Sequence, residues 1–372
     1  MVRVSPVVER MRKELAARGW DGVLATPGVN LAWLTGVANH ATLERSERLV
    51  CLGVPVRGDP WILCPAFEGE RMGGAVPWAR IETWEEAENP FARAARRLAG
   101  GETWALEPTT AYHDACRLED GTDARFADGA ALFETLRRAK TPVEIEALGR
   151  AIDAAWEVFD EVVASLAEGD TEREVADRIA DAFGRRGFEP WSLVQFGPSS
   201  AVPHGEPGDR RLERGHVVLL DWGGWKDGFS ADLTRTFWWD GEALAAEDSP
   251  TEFREILDVV RSAQRAALSL IRPGVRCGDA DEAARAVIRE AGYGERFTHR
   301  LGHGLGREIH EPPYLVSGSD VELAPGDVVT VEPGIYLPGK FGARWEDDVR
   351  VTETGIEILS ERGRYSAPHT HS

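Results

Sequence analysis

The chain has 372 residues, of which 43 are basic and 63 acidic, so its formal net charge is −20. This excess of acid disfavours a general nucleic-acid-binding function, because neutralising phosphates requires lysine and arginine. No run of about 18 apolar residues is present, so no membrane-spanning helix is predicted. The first twenty residues are charged and lack the apolar core of a signal peptide, and we therefore expect a cytoplasmic protein.

The acidic excess is concentrated in the second part of the chain. Residues 1–140 contain 18 basic and 20 acidic side chains, whereas residues 141–372 contain 25 and 43, and only four of all the basic residues are lysines. Three interpretations stay open: a genome that favours arginine codons, a surface adapted to high salt, and a cleft in which carboxylates gather around cations.

The first part of the chain is predicted to form a small α/β domain. Residues 7–19 have the spacing of an amphipathic helix. Apolar, strand-like runs follow at 22–26, 49–56 and 61–64, separated by glycine and proline. No motif of a functional site stands out in this part.

A domain boundary is predicted near residue 140, which gives domains of residues 1–138 and 139–372. Thr141 is suited to cap a helix, and Glu144 completes a capping box. A second capping box begins at Thr171. Further helices are predicted at 252–271 and 280–291, and strands at 217–222, 229–238, 328–336 and 345–351. The second domain is therefore predicted to be mixed α+β.

Two of its carboxylates lie in a predicted β-hairpin. Asp221 ends an apolar run, and Asp232 follows eleven residues later, beyond three glycines. A loop centred between Lys226 and Asp227 places Asp221 directly opposite Asp232, with Cβ atoms about 5 Å apart.

Two further carboxylates face each other in the same way. A loop centred on Gly339 places Glu332 opposite Glu346. Like charges in direct opposition destabilise a sheet, so two such pairs are explained if cations bind between them. Chance is the alternative, because acidic residues are common in this part of the chain.

The distribution of histidines favours a site. His303 lies among three glycines, where the lack of side chains lets another group approach. His299 precedes it by four residues and His310 follows by seven, while His204 lies in a proline–glycine turn. A single histidine is more often structural, but four in such contexts indicate function.

The donor types indicate the kind of metal. Four carboxylates and one imidazole suit Mn²⁺ better than a structural zinc ion, and the four cysteines are widely spaced with no Cys-x-x-Cys pair. Four carboxylates can neutralise two divalent cations. Two metals about 3.5–4 Å apart can share a hydroxide and activate it for hydrolysis.

These residues resemble a known family. Asp221, Asp232, His303, Glu332 and Glu346 reproduce, in order and local context, the ligand set of the pita-bread metallopeptidases, peptidase family M24. The segments that carry the resemblance are SADLTRTF, HRLGHGLGREIHEPP, VEPGIY and RWEDDV. The family includes methionine aminopeptidase, aminopeptidase P, prolidase and the non-peptidase creatinase. The resemblance implies an α+β fold, with a C-terminal pita-bread domain and an N-terminal α/β creatinase-type domain.

The resemblance also implies a ligand arrangement. Asp232 and Glu346 are expected to bridge two divalent ions, with Asp221 on one ion, and His303 and Glu332 on the other. A bridging hydroxide then attacks the scissile carbonyl, and Glu332 shuttles the proton. Mn²⁺ is the favoured metal, with Co²⁺, Zn²⁺ and Fe²⁺ as alternatives.

Substrate-binding roles are implied for five further residues. His310 is similar to the histidine that hydrogen-bonds the tetrahedral intermediate. His204 resembles one near the carbonyl and the residue after the cleaved bond, and His299 one near the substrate proline. Arg344 is expected either to orient the site or pair with a substrate carboxylate, or to form a structural salt bridge. Tyr336 is expected to be a pocket wall or a hydrogen-bond donor to a ligand.

The function implied is hydrolysis of Xaa-Pro bonds in dipeptides or short peptides. A dipeptidase (prolidase) is favoured, with aminopeptidase P as the main alternative. A creatinase-like C–N hydrolase and a non-catalytic binding relative are less favoured, because all five metal ligands are present. The resemblance also implies a homodimer.

Overall fold

The computed structural model describes residues 6–38, 40–44, 48–98, 101–242, 244–245 and 249–362. The chain divides into two compact units, Met1–Arg137 and Arg138–Ser372. Within the described ranges, no helix combines the length and the apolar character needed to cross a membrane.

The first unit is built on a six-stranded sheet. Its strands are β1 (Gly22–Ala25), β2 (Cys51–Pro55), β3 (Trp61–Pro65), β4 (Arg80–Trp84), β5 (Thr103–Leu106) and β6 (Arg125–Asp128). Its helices are α1 (Pro6–Ala17), α2 (Val29–Thr35), α3 (His40–Leu43), α4 (Gly69–Ala75), α5 (Pro90–Ala95), α6 (Tyr112–Glu119) and α7 (Ala130–Arg138). The strand order is β4-β3-β2-β1-β5-β6.

Helices cover both faces of this sheet. Successive side chains of β1 point to opposite faces, so Val23 packs into a core with Met11 of α1, whereas Leu24 packs into a second core with Phe91 of α5. This three-layer arrangement confirms the predicted α/β character.

Among its described residues, the second unit contains four long helices and three sheets. The helices are α8 (Pro142–Val163), α9 (Glu172–Arg185), α10 (Thr251–Leu270) and α11 (Cys277–Glu290). The first sheet has the order β10-β9-β8-β7, formed by β7 (Glu189–Phe196), β8 (Val217–Trp225), β9 (Leu233–Trp239) and β10 (Leu244–Ala245). The second has the order β12-β11-β13-β16-β17, formed by β11 (Gly302–Gly304), β12 (Glu311–Leu315), β13 (Val328–Val331), β16 (Asp347–Val351) and β17 (Ile356–Ile358). A separate ladder pairs β14 (Gly334–Leu337) with β15 (Phe341–Arg344).

Both predicted capping boxes are present. Thr141 Oγ1 accepts a hydrogen bond from the backbone N–H of Glu144, and the Glu144 carboxylate accepts one from the backbone N–H of Thr141. Thr171 and Glu174 do the same at the start of α9. These bonds satisfy backbone donors that the first turn of a helix leaves without partners.

Each helix pair contributes to a separate core with one of the sheets. Trp156 and Phe159 of α8 pack around Trp222 of β8, with ring centroids 5.7 Å and 4.8 Å away. Residues of α10 and α11 form a second core with β13 and β16. Because Leu220 and Trp222 point into the first core, Asp221 between them points to the other face of the sheet.

The predicted register of the first hairpin is wrong by two residues. Asp221 pairs with Thr234, and Asp232 lies just before β9. The turn is Asp227-Gly228, where both φ angles are positive, 55° and 78°. A two-residue type I′ turn needs that geometry, and Asp-Gly is one of its preferred sequences. Since the shift is two residues, both aspartates stay on the predicted face.

The second hairpin has the predicted register but not continuous strands. Pro333 has no N–H to donate, and the strands change sheets at this point. Glu332 and Glu346 lie at the resulting gaps. The ladder pairs on the two sides of the gaps are Gly334 with Arg344, and Val331 with Asp347.

Candidate active site

The second unit brings all five predicted metal-ligating residues to one cavity of about 430 Å³. Asp221 comes from β8, His303 from β11, and Asp232, Glu332 and Glu346 from strand ends. The side chains that line the cavity are Trp191, Leu193, His204, Asp221, Trp225, Asp232, His303, Ile309, His310, Glu332, Arg344 and Glu346.

The ligand atoms fall into three overlapping groups, within each of which all atoms lie within 4.8 Å of one another. The groups are Asp221 with Asp232 and Glu346, His303 with Glu332 and Glu346, and Asp232 with His303 and His310. Asp232 and Glu346 therefore each lie close both to Asp221 and to His303. Such a pattern is able to accommodate more than one cation.

His303 is oriented to offer Nε2 to the cavity. Its Nδ1 lies 3.1 Å from the carbonyl oxygen of Gly304, so we assign the proton to Nδ1. Nε2 then lies 3.5 Å from Asp232 and 3.4 Å from Glu332. Burial lowers the pKa of His303 to about 3, helped by the nearby His310. A neutral imidazole with a free Nε2 is the form that ligates metals.

The glycines around His303 allow the backbone of β11 to lie close to that of its neighbouring strands. A Cβ atom on Gly302 would lie 2.0 Å from the carbonyl oxygen of Thr330, and one on Gly304 would lie 2.4 Å from that of Glu311. The groups that approach these two glycines are therefore adjacent strands, and the glycines let β11 pack tightly between them.

Burial and mutual repulsion favour the neutral form of three of the carboxylates, those of Asp232, Glu332 and Glu346, when no cation is near. Burial raises the pKa of Asp232 well above its usual value, and Asp221 adds to this. Burial and then Asp232 do the same to Glu346, while burial raises the pKa of Glu332 to about 8. Asp221 Oδ1 is buried without a hydrogen-bond partner among the described residues. The donor set thus fits divalent cations, which would offset the repulsion and occupy the free oxygen.

The guanidinium of Arg344 forms hydrogen bonds with other groups of the protein. Its Nη2 donates to Asp221 Oδ2 at 2.5 Å, and its Nε donates to Thr234 Oγ1 at 3.0 Å. Its Nη1 donates to the hydroxyl of Tyr336 at 2.8 Å and to the carbonyl oxygen of Pro203 at 3.3 Å. This geometry favours the structural salt bridge over pairing with a substrate carboxylate.

His299 is also engaged by protein groups. Its Nε2 lies 2.8 Å from the hydroxyl of Tyr336, and its Nδ1 lies 2.8 Å from the carbonyl oxygen of Arg300. Burial, and then Arg344, lower the pKa of His299 to about 3. With Nδ1 protonated, Nε2 accepts from Tyr336, whose oxygen in turn accepts from Arg344. This chain of hydrogen bonds fixes the orientation of the guanidinium that holds Asp221.

Sequence reasoning missed the apolar wall of the cavity. Trp191 and Leu193 lie on β7, a strand that was not predicted, and Ile309 lies in the loop before His310. Trp191 Nε1 donates to Ser230 Oγ at 3.0 Å, which fixes the indole ring. The concentration of strand-favouring residues at Trp191, Val194 and Phe196 was the available signal for this strand.

The fold and the site define a metallopeptidase. Residues 146–353, more than half of the chain, match the model of metallopeptidase family M24, and residues 8–139 match that of the creatinase/prolidase N-terminal domain. The chain belongs to metallopeptidase family M24. The family and the fold predicted from the sequence are thereby confirmed, as is a peptidase activity class.

Two relatives that are named as dipeptidases are similar to the chain over most of its length. The chain is 36% identical over 348 residues to a probable dipeptidase PepE of Mycobacterium tuberculosis, covering 91% of this chain and 90% of the relative. The crystal structure of dipeptidase PepE from Mycobacterium ulcerans superposes with a TM-score of 0.86 at 32% identity, covering 96% and 95%.

Two further similar structures are those of peptidases whose names specify Xaa-Pro substrates. An Xaa-Pro dipeptidase from Bacillus anthracis has a TM-score of 0.85 and 29% identity, covering 96% of this chain and 97% of that chain. An X-Pro aminopeptidase from Thermotoga maritima has a TM-score of 0.80 and 28% identity, covering 95% and 98%. The chain is thus similar to both kinds of peptidase.

Proposed function

We propose that this protein is a dinuclear metal-dependent peptidase that hydrolyses Xaa-Pro dipeptides. The observation that carries the proposal is the overlap of the ligand groups, in which Asp232 and Glu346 lie near both Asp221 and His303. A carboxylate shared between two sets of ligands is suited to bridging two cations.

The five ligand residues would hold the metals. Asp232 and Glu346 are proposed as bridges, Asp221 as a ligand of one ion, and His303 and Glu332 as ligands of the other. Their oxygen-rich character favours Mn²⁺ over Co²⁺, Zn²⁺ or Fe²⁺. When bound, divalent ions supply Lewis-acid chemistry that polarises a carbonyl and lowers the pKa of water.

The chain's own residues bind the substrate and move the proton. Glu332 lines the cavity beside the other proposed metal ligands, where its carboxylate is placed to accept and release a proton. His204 and His310 are exposed side chains that line the cavity and are free to meet a peptide carbonyl or its developing negative charge. The apolar wall formed by Trp191, Leu193, Trp225 and Ile309 excludes water on one side.

The preference for proline is supported by chemistry and by similarity. An Xaa-Pro bond is a tertiary amide with no N–H, so a site that recognises an extended strand through that donor binds it poorly. A cavity of about 430 Å³ accommodates a small peptide. Relatives of similar structure are named for Xaa-Pro substrates.

Hydrolysis of matched peptides tests the proposal. Purified protein reconstituted with Mn²⁺ is assayed on Ala-Pro, Ala-Pro-Ala and Ala-Ala, with metal-free protein as the control. We expect cleavage of Ala-Pro, with little of Ala-Ala. Cleavage of Ala-Pro-Ala alone assigns the chain to aminopeptidase P, and no hydrolysis of either proline peptide contradicts the proposal. Metal analysis should find two ions per chain.

We also propose that the enzyme is a cytoplasmic homodimer, as the family resemblance implies. Multi-angle light scattering of the purified protein measures its mass in solution. A mass of twice 40.9 kDa supports the dimer, and a single-chain mass contradicts it.

A further inference from the structure

Lys140 and Glu311 form an ion pair that is almost completely buried. The Lys140 Nζ atom lies 2.7 Å from Glu311 Oε1, and the two side chains are 2% and 3% exposed. Transferring two charges from water to a protein interior is costly, so such a pair is weak evidence for stabilisation and calls for another role.

The second oxygen of Glu311 binds the backbone of a loop. Glu311 Oε2 accepts hydrogen bonds from the backbone N–H groups of Arg307 at 3.1 Å and Glu308 at 3.3 Å. Glu311 begins β12 and pairs with Gly304, which ends β11, so residues 305–310 form the loop between these strands. The buried carboxylate of Glu311 therefore holds the 305–310 loop in place through its backbone.

Lys140 anchors the carboxylate to the body of the unit. Its backbone N–H donates to the carbonyl oxygen of Gly326 at 2.9 Å, and its Nζ also donates to the carbonyl oxygen of Arg138 at 3.2 Å. Gly306 makes the close packing feasible. A Cβ atom at that position would lie 2.3 Å from Glu311 Oε1 and 2.8 Å from Lys140 Cε.

The loop carries two residues that line the cavity, Ile309 and His310. The His310 ring lies edge-on to His303, with centroids 4.2 Å apart and an interplanar angle of 88°. His310 directly precedes Glu311 in the chain. A shift of the loop would therefore displace the imidazole relative to the metal-ligand cluster.

We propose that the Lys140–Glu311 pair positions the 305–310 loop, and with it His310 and Ile309, for reaction with substrate. The inference rests on the proposed function for its effect on catalysis. Because both side chains are buried beside the loop and the cavity is lined by other residues, Lys140 and Glu311 are positioning residues and not catalytic ones.

Four variants separate positioning from stability: Lys140→Met, Glu311→Gln, the double variant of both, and Asp327→Asn as control. Asp327 is also a fully buried carboxylate, paired with Arg138 at 2.7 Å, but it does not bind the loop. We expect each single variant of the pair to lower kcat on Ala-Pro by roughly 10²-fold, because small displacements of a catalytic group cost that much, with KM changed less than about twofold. Asp327→Asn should lower Tm while leaving kcat unchanged.

The double variant is the decisive comparison. It leaves no unpaired charge, so its Tm should recover relative to the single variants. Its kcat should stay low, because a methionine at position 140 cannot donate to the residue-311 side chain, which then loses the bond that anchors the loop. Recovery of both Tm and kcat would overturn the proposal.

A second readout does not depend on activity. Hydrogen–deuterium exchange of residues 305–310 is measured in metal-free protein. The amides of Arg307 and Glu308 should exchange faster in Glu311→Gln than in wild type, and at the wild-type rate in Asp327→Asn. Unchanged exchange in Glu311→Gln contradicts the positioning role. If wild-type protein fails to cleave Xaa-Pro peptides, the proposed function fails, while this exchange result still decides whether the pair holds the loop.

Discussion

Glu346 and Asp347 are neighbours in the sequence but have opposite electrostatic surroundings. Asp347 Oδ1 accepts from Arg235 at 2.7 Å and from Ser360 at 2.8 Å, and its Oδ2 accepts from Gln264 at 2.9 Å. Glu346 accepts a hydrogen bond from the hydroxyl of Thr234 and otherwise lies among the carboxylates of the cavity and the neutral imidazole of His303.

The contrast shows what distinguishes a structural acid from one that belongs to a site. Both residues are 2% exposed, so burial alone does not separate them. Asp347 has a cation and two polar donors, which satisfy its charge within the protein. Around Glu346, burial and then Asp232 raise the pKa, so the ionised form of that carboxylate is disfavoured until a cation binds.

The largest expected effect comes from Asp232→Asn. The amide keeps the size of the side chain but removes a proposed bridging ligand, so we expect kcat/KM on Ala-Pro to fall by roughly 10³-fold or more, beyond the 10–100-fold typical of residues outside the ligand set. Metal-free stability should not fall, because the amide cannot ionise and so avoids the burial and repulsion that raise the pKa of Asp232. Activity assays, metal titration and thermal unfolding measure the three effects. Full activity with full metal content would refute the ligand assignment.

Asp347→Asn should instead lower the stability of the metal-free protein. It leaves the guanidinium of Arg235, which is 0% exposed, without its buried anion, and breaking a buried pair typically costs about 3–5 kcal/mol. Urea unfolding of the metal-free protein measures the loss. The matched control is Asp209→Asn, which removes an exposed partner of Arg173 and should cost less than about 1 kcal/mol. Equal free energies of unfolding for Asp347→Asn and Asp209→Asn would show that the buried ion pair contributes no more to stability than the exposed one.

The pH dependence of stability sharpens the same contrast. The pKa of Glu332 is about 8 in the folded chain against an ordinary 4.5, so the folded state binds this proton more tightly than the unfolded one. The histidines with pKa values near 3 do not contribute above their ordinary pKa of 6.5, because they are neutral there in both states. Metal-free stability should therefore fall as pH rises from about 6.5 to 8.

Added Mn²⁺ should counteract this fall, since metal binding requires deprotonated ligands and strengthens as pH rises. Thermal unfolding at several pH values, with and without Mn²⁺, provides the measurement. Glu332→Gln should make the metal-free stability fall less steeply with pH, while the raised pKa values of Asp232 and Glu346 maintain part of the slope. A metal-free protein that gains stability over this range would contradict the pKa shift.

The smallest effect is expected from Tyr336→Phe. Loss of the hydroxyl leaves His299 Nε2 and one N–H of Arg344 without their partner, which typically costs about 1–3 kcal/mol. We expect kcat to fall less than about tenfold, because Arg344 keeps its bond to Asp221. Tyr293→Phe is the control, since Tyr293 packs against the core of α10 and α11 away from the cavity. A loss as large as that of Asp232→Asn would assign Tyr336 a direct part in the chemistry.

The sequence was sufficient for features that depend on local pattern. The two capping boxes with the helices that they begin, the helices predicted at 7–19, 252–271 and 280–291, and the facing of Glu332 and Glu346 follow from residue spacing, and the structure contains them. The first hairpin was misaligned because its loop was centred one residue too early, although the Asp227-Gly228 pair was the available turn signal.

Long-range partners could not be predicted in the same way. The bonds from Arg344 to Asp221 and from Arg235 to Asp347 join residues more than a hundred positions apart, and nothing local to either arginine specifies its partner. The strands β11 and β12 were also missed. They are short, rich in glycine and proline, and held in place by their neighbours in the sheet.

Side chains alternate between the two faces of the sheet along both hairpins, and this alternation restricts which insertions and deletions the strands can accept. Inserting or deleting one residue between Asp221 and the Asp227-Gly228 turn would rotate the carboxylate into the helix-covered core, whereas a change of two residues would keep it on the cavity face. The same holds for Glu346 and the turn at Gly339. Functional homologues should therefore differ in these strands by even numbers of residues, unless a β-bulge restores the facing.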